Sequence, residues 1–205
     1  MTISETAVPT TYGDHLRRLY LVRFAFALIW AALLFPTSAA TGPFLTVLLF
    51  VYPLFDAAAV LWQLRADPDT QRSKVSEGVN VAVSLVVAVA LGVASTTSIA
   101  AALAVWGVWA IGAGIPQLVT AIRNRRSGGQ VPQMLSGGIS VLAGGSFLAQ
   151  GLQDADSIAG VGGYALLGGV FFLVSAVRLS ILRRRERQRD RALGLRTRND
   201  GPMAP

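Results

Sequence analysis

Residues 164–178 read YALLGGVFFLVSAVR, an uncharged run of apolar and small residues that ends on an arginine. Residues 109–123 read WAIGAGIPQLVTAIR and align with it without a gap, at an offset of 55 residues. In this alignment Gly169 matches Gly114, and Arg178 matches Arg123. A further copy of the pattern begins with VYPLFDA at residues 51–57. The matches predict an internal repeat in which one helix of each copy ends on or near a cation.

The composition of the chain is typical of a membrane protein. Hydrophobic residues make up 53% of the 205 residues and charged residues 14%, whereas soluble domains carry roughly 25% charged residues. The charges that are present are bunched. The stretches between the bunches reach the ~18–20 residues that a bilayer-spanning helix requires. The sequence therefore predicts several transmembrane helices.

Six apolar segments are predicted to span the membrane. They are Leu19–Pro36, Phe44–Leu64, Glu77–Ala94, Ile99–Ile122, Met134–Leu152 and Ala159–Leu182. We expect a cytoplasmic arm over residues 1–18 and a transmembrane domain over residues 19–182. Residues 183–205 are predicted to form a basic cytoplasmic tail that is helical at first and disordered after Ala192. Within the transmembrane domain, the predicted hairpins cover residues 19–64, 77–122 and 134–182.

The distribution of cations predicts the topology. The connections Thr37–Pro43, Ser95–Ser98 and Gln153–Ile158 contain no basic residue. All 18 lysines and arginines lie in the N-terminal arm, the other two connections and the C-terminal tail, or near the segment ends that meet them. Because positively charged loops stay in the cytoplasm, both termini are predicted to be cytoplasmic, in a protein that crosses the inner (plasma) membrane several times. The alternative is a cleaved signal peptide over the first segment, but Arg23 interrupts its apolar run.

The repeat predicts how the hairpins are arranged. Each copy contains two spans, so all three copies enter the membrane in the same orientation. The predicted fold is an all-α membrane protein of six helices, built as three repeated hairpins in a parallel pseudo-threefold bundle, unlike the inverted repeats of many transporters. The alternative is that apolar helices resemble one another by composition alone.

The repeat pattern resembles that of the HdeD-like short-repeat membrane proteins. The second helix of a repeat carries an aromatic residue, then glycine, then an Ala-Ile-Arg or Ala-Val-Arg ending, and residues 109–126 and 164–185 match this best. The resemblance covers approximately residues 17–185. The second and third hairpins lack the proline that commonly ends the first helix of a repeat, which the first hairpin keeps as Pro36. The resemblance implies an inner-membrane protein connected with acid or envelope stress, and it supplies no catalytic residues.

Asp56 is the one carboxylate predicted to lie well inside a span, eight residues before Leu64 at the end of the second segment. A charge at the bilayer centre costs about 2.5–3.5 kcal/mol on insertion scales, so this side chain is expected to be neutral, paired or hydrated. Arg23 enters the first helix from the same side at a similar depth, and the two are predicted to form an intramembrane polar pair. The pair is either a fixed packing contact or a proton-responsive group. The alternative function is a small channel or proton-coupled transporter that uses Asp56.

Two other groups of residues are predicted to make contacts. Helix-packing positions are expected where glycine lets backbones approach closely, at Gly114, Gly138, Gly145 and Gly169. A basic cluster directly after the sixth segment is typical of contact with anionic lipid headgroups, and it comprises Arg183, Arg184, Arg185 and Arg187. The lipid bilayer is therefore the expected partner. A homo-oligomer or another membrane protein is left open, and nucleic acid is not expected because no recognition module accompanies the arginines.

The sequence predicts no catalytic, cofactor or metal site. It contains no cysteine, no HExxH motif, no Walker loop and no serine elbow. GVGG at residues 160–163 resembles part of a dinucleotide fingerprint, but it opens a predicted membrane span and no strand precedes it. We therefore do not expect an enzyme.

Overall fold

Every described element of the chain is helical. The computed structural model describes residues 10–66, 71–123, 125 and 131–199. The helices are α1 (Thr10–Leu34), α2 (Pro43–Ala66), α3 (Gln71–Thr97), α4 (Ile99–Arg123), α5 (Val131–Leu152) and α6 (Ala159–Asn199), and a 3-10 turn over Phe35–Thr37 follows α1. All six helices contain a stretch that is long and apolar enough to cross a membrane. The fold is therefore compatible with a multi-pass integral membrane protein.

The helices extend beyond the apolar segments at the end of the bundle that carries the arginines, which we call the basic end. Helix α1 begins at Thr10 rather than near Leu19, and α3 begins at Gln71 rather than at Glu77. Helix α6 continues to Asn199, seven residues beyond Ala192, where the sequence places the end of the helical part of the tail. Residues 183–199 contain no proline and mostly good helix formers, so a helix that is already started propagates through them.

The six helices form a closed ring in which each helix packs on its two neighbours in the sequence and α6 returns to α1. The contacts alternate in extent around the ring. Helix α4 packs most extensively on α5, α2 on α3 and α6 on α1, while α1–α2, α3–α4 and α5–α6 share smaller contacts. The most extensive contacts thus join helices from different predicted hairpins. The two helices within each predicted hairpin contact each other less.

Helices α4 and α5 are joined by a row of glycines that we call the glycine seam. It comprises Gly107 and Gly114 on α4 together with Gly137, Gly144 and Gly151 on α5. Neighbouring members on one helix are about two turns apart, which keeps them on one face. A Cβ at Gly107 would lie 2.6 Å from the carbonyl oxygen of Gly144, and a Cβ at Gly144 would lie 2.7 Å from that of Gly107. A side chain at either position would therefore force the two helices apart.

Gly138 and Gly145, which the sequence singles out as packing positions, do not lie in the seam. A Cβ at either residue would meet no atom within 4 Å. One residue is a rotation of about 100° around a helix, so only one glycine of each adjacent pair can face α4. The packing contact belongs to Gly137 and Gly144 instead.

The other two packing glycines named from the sequence do lie between helices. Gly114 is part of the seam, where a Cβ would lie 2.9 Å from the carbonyl oxygen of Gly137. Gly169 lies against α1, where an added Cβ would lie 3.1 Å from the Cβ of Ala27. The two glycines thus bring different helix pairs together at matching positions of the aligned segments.

Aromatic rings fill the space between α1, α2 and α4. Trp30 and Trp106 are almost fully buried, with ring centroids 5.6 Å apart, and Tyr52 contacts both rings. The indole N–H of Trp30 donates a hydrogen bond of 2.7 Å to the carbonyl oxygen of Leu48. This bond ties α1 to α2 at Leu48, eight residues before Asp56. The aromatic cluster closes the interior of the ring on the side away from the basic end.

Candidate functional site

The candidate site lies in α2, between the aromatic cluster and the basic end. Asp56 follows Tyr52 by one helical turn and precedes Arg65 by nine residues, about 14 Å along the helix. Helix α2 continues without interruption past Pro53, which is buried in its interior. The site is therefore built on a continuous helix and not on a broken one.

The structure brings Asp56 and Arg23 together. Nη1 of Arg23 lies 3.5 Å from Oδ1 of Asp56, and the arginine side chain is 13% exposed. The guanidinium of Arg23 also lies over the ring of Phe172 in α6, with 5.0 Å between its central carbon and the ring centroid. Both contacts offset part of the cost of burying the arginine, because an ion pair and an aromatic face each stabilise a cation.

The second carboxylate oxygen of Asp56 is held by α3. Ser84 donates a hydrogen bond of 3.1 Å to Oδ2, and the side-chain amide of Asn80 donates one of 3.4 Å to the same oxygen. Ser84 is fully buried. The carboxylate is thus shared between two helices: α1 contacts one oxygen, and α3 contacts the other.

The polar cluster is not completely satisfied. Nε of Arg23 is buried and has no hydrogen-bond partner among the described residues. The Asp56 side chain is 27% exposed, and a small pocket lies beside it, lined by Arg23, Phe26, Tyr52, Phe55, Asp56 and Phe172. The volume of the pocket is about 20 Å³. One water molecule needs roughly 10–15 Å³ of such volume. The pocket is large enough for a water and too small for an organic substrate.

The sequence does not single out Asn80 and Ser84 as members of this site. They stand one turn apart on α3, among other polar residues scattered along the spans, and nothing in their spacing connects them to Asp56. Their part in the site depends on the packing of α2 against α3, which a single sequence does not reveal. They could have been found only by asking which polar residues of α3 lie opposite Asp56 when α2 packs against α3.

The arginines of the basic cluster at the end of α6 differ in their surroundings. The guanidinium of Arg183 is paired with the carboxylate of Asp14 in α1, so it is not simply directed toward lipid as predicted. Arg184 and Arg185 are exposed, as a headgroup contact requires. Arg187 belongs to α6, but its side chain lies outside the described residues.

The site can form an ion pair and hydrogen bonds. No group of three or more metal-ligating side chains occurs within the part of the chain that the structure describes. No family model, no curated protein and no solved structure matches the chain. The residues of the site therefore carry the functional argument alone.

Proposed function

We propose that the chain is a non-enzymatic integral membrane protein of the HdeD-like type, with both termini in the cytoplasm of an inner (plasma) membrane. The distribution of cations supports this orientation. The described arginines at the basic end include Arg65, Arg123 and Arg184, all of them exposed, and a basic juxtamembrane layer is held at the cytoplasmic face. The same arginines are the proposed contact with anionic lipid headgroups.

We propose further that the six helices are three repeated hairpins arranged around a pseudo-threefold axis. The alternation of more and less extensive contacts around the ring supports this arrangement. So do the aligned positions Tyr52 and Trp109, whose rings meet at 6.2 Å between centroids. Close helix contacts at Gly114 and Gly169, which also align, agree with it.

The proposed role is to support acid or envelope stress tolerance through association of the helix bundle with itself or with a partner in the membrane. The observation that carries this proposal is the cluster of Arg23, Asp56, Asn80 and Ser84, a charged cluster beside a core of buried apolar and aromatic side chains. Such a cluster stabilises one arrangement of the helices as long as both charges are present.

Survival of acid challenge tests the proposed role. The gene is deleted in its own host and replaced by the wild type, by Asp56→Asn or by Gly138→Val, whose position has open space around it. We expect the deletion and Asp56→Asn to lower survival, while Gly138→Val restores it. The wild type and the variants are compared at matched protein levels. Equal survival of the deletion strain and the wild type would exclude a role in acid tolerance.

A small channel or proton-coupled transporter that uses Asp56 is the second candidate. It is favoured by the partial exposure of Asp56 beside a pocket of water size. The buried rings of Trp30 and Trp106 oppose it, because they fill the interior on one side of the site. Proteoliposomes with an imposed pH gradient distinguish the two candidates: Asp56-dependent proton flux supports transport, and flux equal to that of empty liposomes supports the structural role.

A further inference from the structure

The α1–α2 contact lies between two helix pairs that are more extensively packed. Helix α1 lies along α6, with Ala27 against Gly169. Helix α2 lies along α3, where the hydroxyl of Ser95 donates a hydrogen bond of 2.9 Å to that of Thr46. The α1–α2 contact is smaller than either. A relative movement of the two pairs is therefore easiest between α1 and α2.

Arg23, Phe26, Phe55 and Asp56 make this contact in the half of the bundle nearer the basic end, and we call these four residues the α1–α2 joint. The rings of Phe26 and Phe55 are stacked, and Arg23 supplies the charged contact to Asp56. Farther from the basic end, Trp30 bonds to the backbone of α2 through its indole N–H. The joint depends on one ion pair, whereas the Trp30 contact does not depend on charge.

The two oxygens of Asp56 connect to different helix pairs. Oδ2 accepts hydrogen bonds from Asn80 and Ser84, which belong to the α2–α3 pair, as Asp56 itself does. Oδ1 faces Arg23 of the α1–α6 pair. A proton bound at Oδ1 would remove the negative charge on the side that faces α1, while the contacts of Oδ2 with α3 remain in reach.

Within the described part of the chain, Asp56 is the anion that Arg23 faces. Besides Asp56, the groups that face the pair are Tyr20 of α1, Tyr52 of α2, Asn80 and Ser84 of α3, and Phe172 and Tyr164 of α6. Asparagine, serine and phenylalanine carry no charge, and phenols are neutral at and below neutral pH. Among the described residues, Asp56 is therefore the one anion that faces Arg23. The unpartnered Nε of Arg23 leaves the arginine weakly held once that anion is lost.

We propose that the α1–α2 joint is acid-labile. A proton from water adds to Oδ1 of Asp56 and forms a neutral carboxylic acid, while Arg23 keeps its proton and its charge. The pocket beside Asp56 has room for the water that delivers the proton. Arg23 then extends toward the basic end, about 8 Å from Arg18 along α1, as long cationic side chains do near the membrane surface. The α1–α6 pair moves away from the α2–α3 pair at that end, while the Trp30 contact acts as the hinge.

This proposal rests on the membrane placement proposed above, and distances between spin labels test it. Because the chain contains no cysteine, pairs of cysteines can be introduced and labelled without background. Leu21→Cys with Leu61→Cys places exposed labels across the joint, and Leu21→Cys with Val177→Cys places them within the α1–α6 pair. The full chain is reconstituted in liposomes, and distances are measured by pulsed electron resonance between about pH 7.5 and about pH 3.5, the range in which ordinary aspartates take up a proton.

We expect the distance across the joint to broaden and lengthen at acidic pH by ~5 Å, about one helical turn, while the distance within the α1–α6 pair stays constant. Asp56→Asn should produce the longer distance at neutral pH already. The double variant Arg23→Gln with Asp56→Asn, which buries no charge, should keep the shorter distance at every pH. This variant and the wild type keep the test decisive if Asp56→Asn does not fold.

Three results would overturn the proposal: a wild-type distance that does not change with pH, an equal change in the double variant, or an equal change in the control pair. Access of oxygen and of a water-soluble relaxation agent to single labels at Leu28→Cys and Val170→Cys, exposed positions near the middle of the α1 and α6 spans, tests the membrane placement separately. Labels there that are reached by the water-soluble agent more than by oxygen would contradict the placement and not the joint itself.

Discussion

The glycine seam between α4 and α5 and the joint between α1 and α2 hold neighbouring helices by opposite means. In the seam, backbone meets backbone, and a Cβ at Gly107 would lie 2.6 Å from the carbonyl oxygen of Gly144. In the joint, long side chains span the distance, and the charged atoms of Arg23 and Asp56 are 3.5 Å apart. The first contact depends on the absence of side chains, and the second depends on their charge.

The difference teaches which contact is rigid and which can respond to its surroundings. Close backbone packing has no titratable group and is lost only when the helices separate. An ion pair with a partly exposed carboxylate changes with pH, because protonation removes one of its charges. The two contacts therefore divide the ring into a part that is fixed and a part that can be released.

Gly144→Val should have the largest effect on stability. Its side chain would collide with the backbone of α4 at Gly107 and Ile111, so we expect a loss of at least about 3 kcal/mol, the upper end of overpacking costs. Reversible unfolding in detergent micelles measures the loss. Gly145→Val is the matched control, with the same side chain one residue along and no atom within 4 Å. Equal stability of the two variants would contradict the seam.

Asp56→Ala should have the next largest effect. It removes the anion opposite Arg23 and leaves a buried cation and the hydrogen-bond donors of Ser84 and Asn80 without their acceptor. Breaking a buried pair costs about 3–5 kcal/mol, and the partial exposure of Asp56 reduces the expected loss to about 2–3 kcal/mol. Thermal unfolding at neutral pH checks this loss against that of Asp156→Ala, since Asp156 is an exposed aspartate between α5 and α6. A loss no greater than that of the control would remove Asp56 from the joint.

Trp30→Phe should have a smaller effect of about 1–2 kcal/mol, because it removes one buried hydrogen bond and part of a ring. The indole N–H of Trp30 donates to the carbonyl oxygen of Leu48 at 2.7 Å. Trp62→Phe is the control, since Trp62 is 41% exposed. Unfolding monitored by circular dichroism should separate the two variants, and an unchanged midpoint for Trp30→Phe would show that this bond does not tie α1 to α2.

Arg183→Gln should have the smallest effect. Its ion pair with Asp14 lies at the basic end, where Asp14 is partly exposed, and such pairs contribute at most about 1 kcal/mol. Arg184→Gln is the control because Arg184 is exposed. The difference between the two variants should shrink as salt is added, since salt screens exposed charges. A difference that is independent of salt would exclude an ionic origin.

Much of the fold can be predicted from the sequence, because the features that define it are local. Six apolar runs separated by polar connections coincide with the six helices, and their ends differ most at the basic end. The alternation of contacts around the ring could not be predicted in this way. Which glycine of an adjacent pair faces a neighbouring helix depends on a rotation of about 100°, and the doublets 137–138 and 144–145 give no means of choosing.

The candidate site was only half predictable for a related reason. Asp56 and Arg23 stand out because ionisable residues within apolar segments are rare and costly. Asn80 and Ser84 do not stand out, since polar uncharged residues are common in such helices. They join the site because α2 packs along α3 and so brings them to Oδ2 of Asp56. That contact links residues more than twenty positions apart in the chain.

A double-mutant cycle of Arg23 and Asp56 tests the joint most directly. Arg23→Gln, Asp56→Asn and the double variant are unfolded reversibly in the same micelles at neutral pH, and their free energies of unfolding are compared with that of the wild type. If the two side chains form the joint, the double variant loses less stability than the sum of the single variants, by more than about 1 kcal/mol. Losses that add to within about 0.5 kcal/mol would mean that the two charges do not interact, and the α1–α2 joint would have to be abandoned.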